Sequence, residues 1–195
     1  MSNQKVTNNF WFSEFRPHGA DMSWMPEFDL RKDMIINLAN NLQIIRNIMT
    51  DPAQSMNITR GVSTLDDIDR LKALGDNPSL TSDHFCGLAV PIDKLNKKYF
   101  KVGSTYNFAV GAADCVPVGM PVIDFFMRAV YMTKRNECRF GQVIHEYNPT
   151  TGAEWIHFGN DPSLYYTLHT MAFNIRDQFM ESLDGGKTYK ILIPN

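Results

Sequence analysis

The chain has 195 residues, a length typical of a single domain, and 44% of them are hydrophobic, which is enough to bury a core. The net charge of −2 gives no reason to expect the basic face that nucleic-acid binding needs, and no apolar run is long enough to span a bilayer. The three cysteines lack metal-ligand spacing and the polar start lacks an apolar signal region, so we expect a reducing compartment and no secretory export.

The first part of the chain is predicted to form an irregular arm followed by helices. Residues 1–29 are rich in aromatic side chains but are interrupted by prolines, which predicts an arm laid over the core. Apolar residues at helical spacing predict the clearest helix over 31–49. A short strand is predicted over 56–60, and a second helix is predicted to begin at the cap Ser63 and to end at Gly75.

The middle of the chain has a less regular pattern. A short apolar run predicts a core strand over 85–92. Further short strands are candidates over 99–102 and 106–110, and Cys115-Val116-Pro117 is predicted to lead into a turn. Pro121 suits the first turn of a helix that is predicted to run to about Lys134.

The last part of the chain is predicted to begin with a hairpin. Its strands cover 142–147 and 154–158, joined by an Asn-Pro-Thr-Thr-Gly turn. A final helix is predicted over 164–183 and a last strand over 189–193. Helices that precede mainly hairpin-like strands indicate an α+β fold, with a small antiparallel sheet and helices packed on it.

Two histidines and the carboxylates near them carry the most informative chemistry. His84 stands at the start of the predicted strand 85–92, Asp93 follows that strand, and Glu154 precedes His157 by three positions. Two histidines, a carboxylate ligand and a spare Glu that takes a proton from water are the components of a hydrolytic zinc site. Because side chains alternate along a strand, Asp93 reaches the face of His84 only through a bulge. Glu154 likewise faces away from His157 unless the chain bends between them.

Several segments, in chain order, match the pattern of one family. Ser82–Ala89, with the sequence SDHFCGLA, is similar to an S-x-H-x-x-G-x-A ligand motif, and Ile58–Val62 is similar to a T-S-G-Y-R strand. Gln142–Glu146 and Trp155–His157 are similar to a closing hairpin. Together they resemble the zinc peptidases that include D-Ala-D-Ala carboxypeptidases and L-alanyl-D-glutamate endopeptidases of phage lysins, which have the hedgehog-type fold. The resemblance extends from about residue 9 to residue 160.

This resemblance implies a set of site residues. His84 and His157 would be zinc ligands and Glu154 the general base. The third ligand of the family is an Asp seven positions after the first His, where this chain has Pro91, so that Asp93 would have to serve two residues later. Without a metal, the two histidines would be an ordinary hydrogen-bonded pair in the core.

Substrate-binding residues follow from the same resemblance. The family's Arg that helps to hold a substrate carboxylate falls on Ser63, and the family's preceding Ser falls on Arg60. Arg60 and Ser82 are the candidates for substrate binding. A surface role for Arg60 and a turn-capping role for Ser82 are the structural alternatives. His145 is an alternative third ligand, although a lone histidine on a strand is more often structural.

We therefore expect one peptidase-like domain over 1–195, phage-encoded, with the arm 1–29 and an insertion over 94–140. Because Pro91 fills the acidic position, the first expectation is a degenerate zinc site in a virion structural module or a cell-wall-contacting module with little or no hydrolysis. The alternative is an active, endolysin-like zinc peptidase that cleaves peptides containing D-amino acids. The expected partners are peptidoglycan peptides or other virion proteins, and the expected location is the virion or the host cytoplasm before release.

Overall fold

The described part of the computed structural model combines three α-helices with a mostly antiparallel sheet, so the predicted mixture of helices with such a sheet is confirmed. The helices are α1 (Asp29–Ile48), α2 (Asp66–Ala73) and α3 (Val122–Lys134). None of the described helices combines the length and apolar character that crossing a membrane requires. The structure describes residues 3–48, 55–79, 82–87, 89–90, 107–162 and 178–193.

Six of the eight strands in the described residues form one sheet in the order β1-β4-β6-β5-β7-β8, and β2 and β3 form a separate antiparallel pair. Within the main sheet only β5 and β7 are parallel; the other neighbours are antiparallel. The strands are β1 (Ser55–Arg60), β2 (Ala89–Val90), β3 (Asn107–Phe108), β4 (Ala112–Val118), β5 (Phe140–Asn148), β6 (Ala153–Asn160), β7 (Gln178–Ser182) and β8 (Lys190–Ile193).

The core lies against one face of this sheet. The apolar stripe of α1 and the buried face of α3 pack there with Ile156 and Phe158 of β6. The N-terminal arm adds Phe10, Phe12 and Phe15, all buried. With this face of the central strands in the core, the opposite face is free to carry polar side chains.

Residues 115–117, which were predicted to lead into a turn, lie inside β4, and the bend at residues 119–120 follows directly after that strand. Proline is disfavoured in strands because it lacks an N–H donor. Pro117 is tolerated because β6 pairs with β4 only as far as Cys115, so Pro117 has β1 alone as its neighbour. The strand β4 and the helix α3 both fall within the predicted insertion 94–140, yet they belong to the main sheet and to its core.

The predicted helix over 164–183 is wrong at its end, where Gln178–Ser182 forms β7 between β5 and β8. Residues 163–177 lie outside the described residues. Five residues are too few for apolar spacing to separate a helix from a buried strand, and pairing on both sides decides for the strand. The predicted strand 85–92 is replaced at its start by a 3₁₀ turn, Asp83–Phe85.

Candidate metal centre

Three separate elements bring His84, Asp114 and His157 together. Asp114 of β4 lies directly opposite His157 of β6 in the antiparallel register. Residues that lie opposite each other in such a pair project from the same face, here the face turned away from the core. His84 belongs to the 3₁₀ turn Asp83–Phe85, which contacts β4 and β6. All three side chains are buried.

The donor atoms of the three side chains form a small triangle. Asp114 Oδ1 lies 3.0 Å from His84 Nε2 and 3.0 Å from His157 Nδ1, and the two imidazole nitrogens are 3.1 Å apart. His84 Nδ1 donates to the carbonyl of Gly61 at 2.7 Å. Because a carbonyl can only accept, this bond places the proton of a neutral ring on Nδ1 and turns the Nε2 lone pair to Asp114 and His157.

These residues fit a metal ion. Three ligands at about 2.0–2.1 Å from one ion lie about 2.8–3.4 Å apart, depending on the coordination geometry, and the observed triangle falls in that range. Within the described residues, this is the one group of three His, Cys, Asp or Glu side chains whose donor atoms converge in this way. Two imidazoles and a carboxylate are the donor set of catalytic zinc sites and of non-haem iron sites.

The protonation states of His84 and Asp114 suit metal binding, whereas His157 has to lose a proton before it can bind an ion. Burial and the charge of Arg60 lower the pKa of His84 to about 4, against the opposing effect of Asp114, so this ring is neutral near pH 7. Burial alone would raise the pKa of Asp114, but the charges of His84 and His157 and their hydrogen bonds outweigh it and hold that pKa well below its usual range. Burial tends to lower the pKa of His157, but Asp114 outweighs burial and the pKa is raised.

Asp114 reaches the site because the chain moves away from the site after His84 and then returns to it. Asp114 follows His84 by 30 positions. Gly87 N–H donates to the Ala109 carbonyl at 2.7 Å, and Gly111 N–H donates to the Asp83 carbonyl at 3.1 Å. These two hydrogen bonds join the ends of the segment 88–110, which we call the excursion, and the β2–β3 pair lies within it. After the excursion the chain forms β4, which contacts the 3₁₀ turn Asp83–Phe85.

Two of the residues predicted to bind substrate adjoin the cluster. Arg60 Nη1 lies 3.7 Å from Asp114 Oδ2, and Arg60 Nε donates to Ser63 Oγ at 2.9 Å. A bulge at Thr59 aligns Arg60 with Asp114, because regular pairing after Ile58 would put Thr59 there instead. Ser82 Oγ accepts from the His84 N–H at 3.4 Å and caps the turn. Asp93 lies outside the described residues.

Glu154 and His145 lie on the other face of the sheet. The β5–β6 register is regular from Gln142 to Asn148, so Glu154 and His157, three positions apart, project in opposite directions. Glu154 Oε1 lies 2.6 Å from His145 Nε2, and Glu181 Oε1 lies 3.4 Å from the Nδ1 of the same ring. The predicted base Glu154 and the alternative ligand His145 therefore do not join the group of candidate metal ligands.

A different carboxylate, Glu146, lies on the face that carries the cluster. In β5, Ile144 is opposite His157, and Glu146 is two positions further along, hence on the same face. Burial and the charge of Asp114 raise the pKa of Glu146 to about 7, although His157, Arg60 and a hydrogen bond from Tyr189 oppose the rise. The alternation rule pointed away from Glu154, but the sequence alone did not single out Glu146 or Asp114.

A polar cavity of about 190 Å³ adjoins Arg60. Arg16, His18 and Arg70 also line it, together with the acidic Glu14 and Asp67. Arg60 Nη2 is buried and has no hydrogen-bond partner among the described residues. A guanidinium nitrogen without a partner suits an anionic ligand.

Comparison of the chain with protein-family models, with curated proteins and with solved structures finds no match.

Proposed function

We propose that this protein is a metal-dependent peptidase of the zinc D,D-peptidase type, with peptidoglycan peptides as its substrates. The observation that carries the proposal is the convergence of His84, Asp114 and His157 on one point, with donor atoms 3.0–3.1 Å apart. A buried group of this kind, bordered by a spare Glu and by an Arg, has the parts that hydrolysis of a peptide bond requires.

The excursion between Gly87 and Gly111 supports the family assignment. If residues 88–110 are left out, HFCG runs directly into GAAD. The joined sequence has the spacing H-x-x-G-x-A-x-D, in which the Asp stands seven positions after the His, as the resemblance requires. The expectation of a degenerate site depended on Pro91, whereas Asp114 offers the anionic ligand that Pro91 lacks. We therefore favour the active peptidase over the inactive virion module.

The residues of the site then have distinct tasks. His84, Asp114 and His157 would hold the zinc ion, which when bound polarises a carbonyl group and lowers the pKa of water. Glu146 would accept a proton from the attacking water and pass it to the leaving amine, a task for which a pKa near 7 is well suited. Arg60 and the cavity beside it would bind a carboxylate of the peptide.

The test combines metal analysis with digestion of purified murein. We expect stoichiometric zinc, and release of peptide fragments that Glu146→Gln lowers by about 10²- to 10⁴-fold without loss of zinc. Glu154→Gln is the matched control, because the same change on the opposite face should leave most of the activity. Zinc without any fragment release would favour the binding module, and a requirement for Fe(II) in place of zinc would favour the iron chemistry of the same donor set.

A further inference from the structure

We propose that Tyr189 is a positioning residue that holds one oxygen of the Glu146 carboxylate on the face of the sheet that carries the metal centre. This inference rests on the proposed function, in which Glu146 is the base. Tyr189 lies beyond the part of the chain that resembles the peptidases, which ends at about residue 160. The C-terminal segment would thus supply a part of the site that the motifs do not contain.

The contact that carries the inference is a hydrogen bond across a strand. Tyr189 Oη donates to Glu146 Oε1 at 3.3 Å. Tyr189 immediately precedes β8, and β7 separates β8 from β5 in the sheet. The β7 residue opposite Glu146 is the small, buried Ser182. A small side chain at this position leaves the phenol room to reach across β7.

The turn before Tyr189 holds the phenol in place. Asp184 accepts from the N–H groups of Lys187 and Thr188, each at 3.0 Å, and from the Thr188 hydroxyl at 2.6 Å. Gly186 has φ +79, and a Cβ atom built there would lie 3.1 Å from Tyr189 Oη. A side chain at Gly186 would therefore press on the hydroxyl, and glycine leaves the space free.

Among the side chains that change the pKa of Glu146, Tyr189 is the one that carries no charge. Asp114, His157 and Arg60 act on Glu146 through their charges. Burial and the charge of Glu146 raise the pKa of Tyr189 itself, while Asp114 and Asp184 add to the rise, so the phenol remains a donor. A donor stabilises the ionised carboxylate and lowers its pKa. Tyr189 therefore fixes one carboxylate oxygen and favours the form that can accept a proton.

The pH profile of Tyr189→Phe tests this role. Loss of the donor should raise the pKa of Glu146 and move the acid limb of kcat/KM for murein peptides to higher pH. We expect kcat/KM to fall about tenfold on the acid limb and to recover at alkaline pH, because a tenfold change corresponds to one pH unit on that limb. A loss that is the same at every pH, or no loss at all, would overturn the inference.

A second measurement does not depend on activity. Titration of the ¹³C-labelled glutamate carboxyl groups by NMR, with the Glu146 signal identified by its absence in Glu146→Gln, should give a higher midpoint in Tyr189→Phe. Tyr131→Phe on the exposed face of α3 is the matched control and should leave the midpoint unchanged. Asp184→Ala, which loosens the turn, should shift the midpoint in the same direction. An unshifted midpoint in Tyr189→Phe refutes the inference, whereas a wild-type protein without zinc or hydrolysis refutes the proposed function.

Discussion

Replacing Asp114 by alanine removes one of the three donors and so tests the metal centre directly. Apparent zinc-binding free energies of about 10–16 kcal/mol for sites with four protein ligands correspond to about 3 kcal/mol for each ligand. Loss of Asp114 should therefore weaken zinc binding by about 10²-fold. Asp93→Ala is the matched control, because Asp93 is the ligand expected from the sequence and Asp114 is the one found in the cluster.

Thermal unfolding with and without zinc measures this difference. At a zinc concentration about 100 times Kd, binding stabilises the wild-type protein by about 2.7 kcal/mol. For a chain of this size that raises Tm by about 5–10 °C. At the same zinc concentration, Asp114→Ala would have zinc at only about its own Kd, so its gain should be about 0.4 kcal/mol and about 1 °C.

The reasoning is refuted if Asp114→Ala keeps the full zinc-dependent rise in Tm, or if Asp93→Ala loses it. Asp114→Asn adds a further comparison, because it keeps the shape of the side chain but removes the charge that pairs with Arg60 at 3.7 Å. If Asp114→Asn loses the zinc-dependent rise in Tm as Asp114→Ala does, the carboxylate itself binds the metal. If Asp114→Asn retains the full rise, the anionic ligand is dispensable.

Two further predictions concern protons and packing. Zinc binding should weaken as the pH falls from 8 to 6, because His157, whose pKa is raised, must lose a proton to bind, while His84 is already neutral. Calorimetry in buffers of different ionisation enthalpy should therefore record more proton release at pH 6, and equal release at both pH values would contradict this. Gly61→Ala should destabilise the protein by about 1–3 kcal/mol, since its Cβ would lie 2.5 Å from Phe15 Cα. Unfolding by denaturant should show a smaller loss for Gly159→Ala, whose Cβ would lie no closer than 3.3 Å to its nearest neighbour, the side-chain oxygen Asp83 Oδ2, and equal losses would argue against the packing explanation.

Local patterns predicted those elements that have a strong signal of their own. The apolar spacing of α1 and the two alternating strands of β5 and β6 were found at nearly their observed bounds, because each buries one regular face. The strand β7 was missed because it is short and is defined by its neighbours in the sheet.

The metal ligands were found only in part, for a different reason. His84 and His157 could be picked out by type and by motif. Asp114 could not, because linear spacing from His84 cannot recognise an excursion whose ends are joined only in the folded chain. Alternation along β6 did indicate that Glu154 faces away from His157, and the regular β5–β6 register bears this out.

The candidate site is a row of side chains across the sheet, one from each of several neighbouring strands. Arg60 of β1 is opposite Asp114 of β4, Asp114 is opposite His157 of β6, and Glu146 of β5 follows on the same face, within reach of Tyr189. A slip of one residue in any pairing would turn that strand's member to the core face. The bulge in β1 places Arg60 opposite Asp114. The hydrogen bonds that join the ends of the excursion place Asp114 beside His84. The chemistry of this site therefore depends on the register of the strands. The spacing of a motif along the chain predicts that register only where no extra segment separates the residues of the motif.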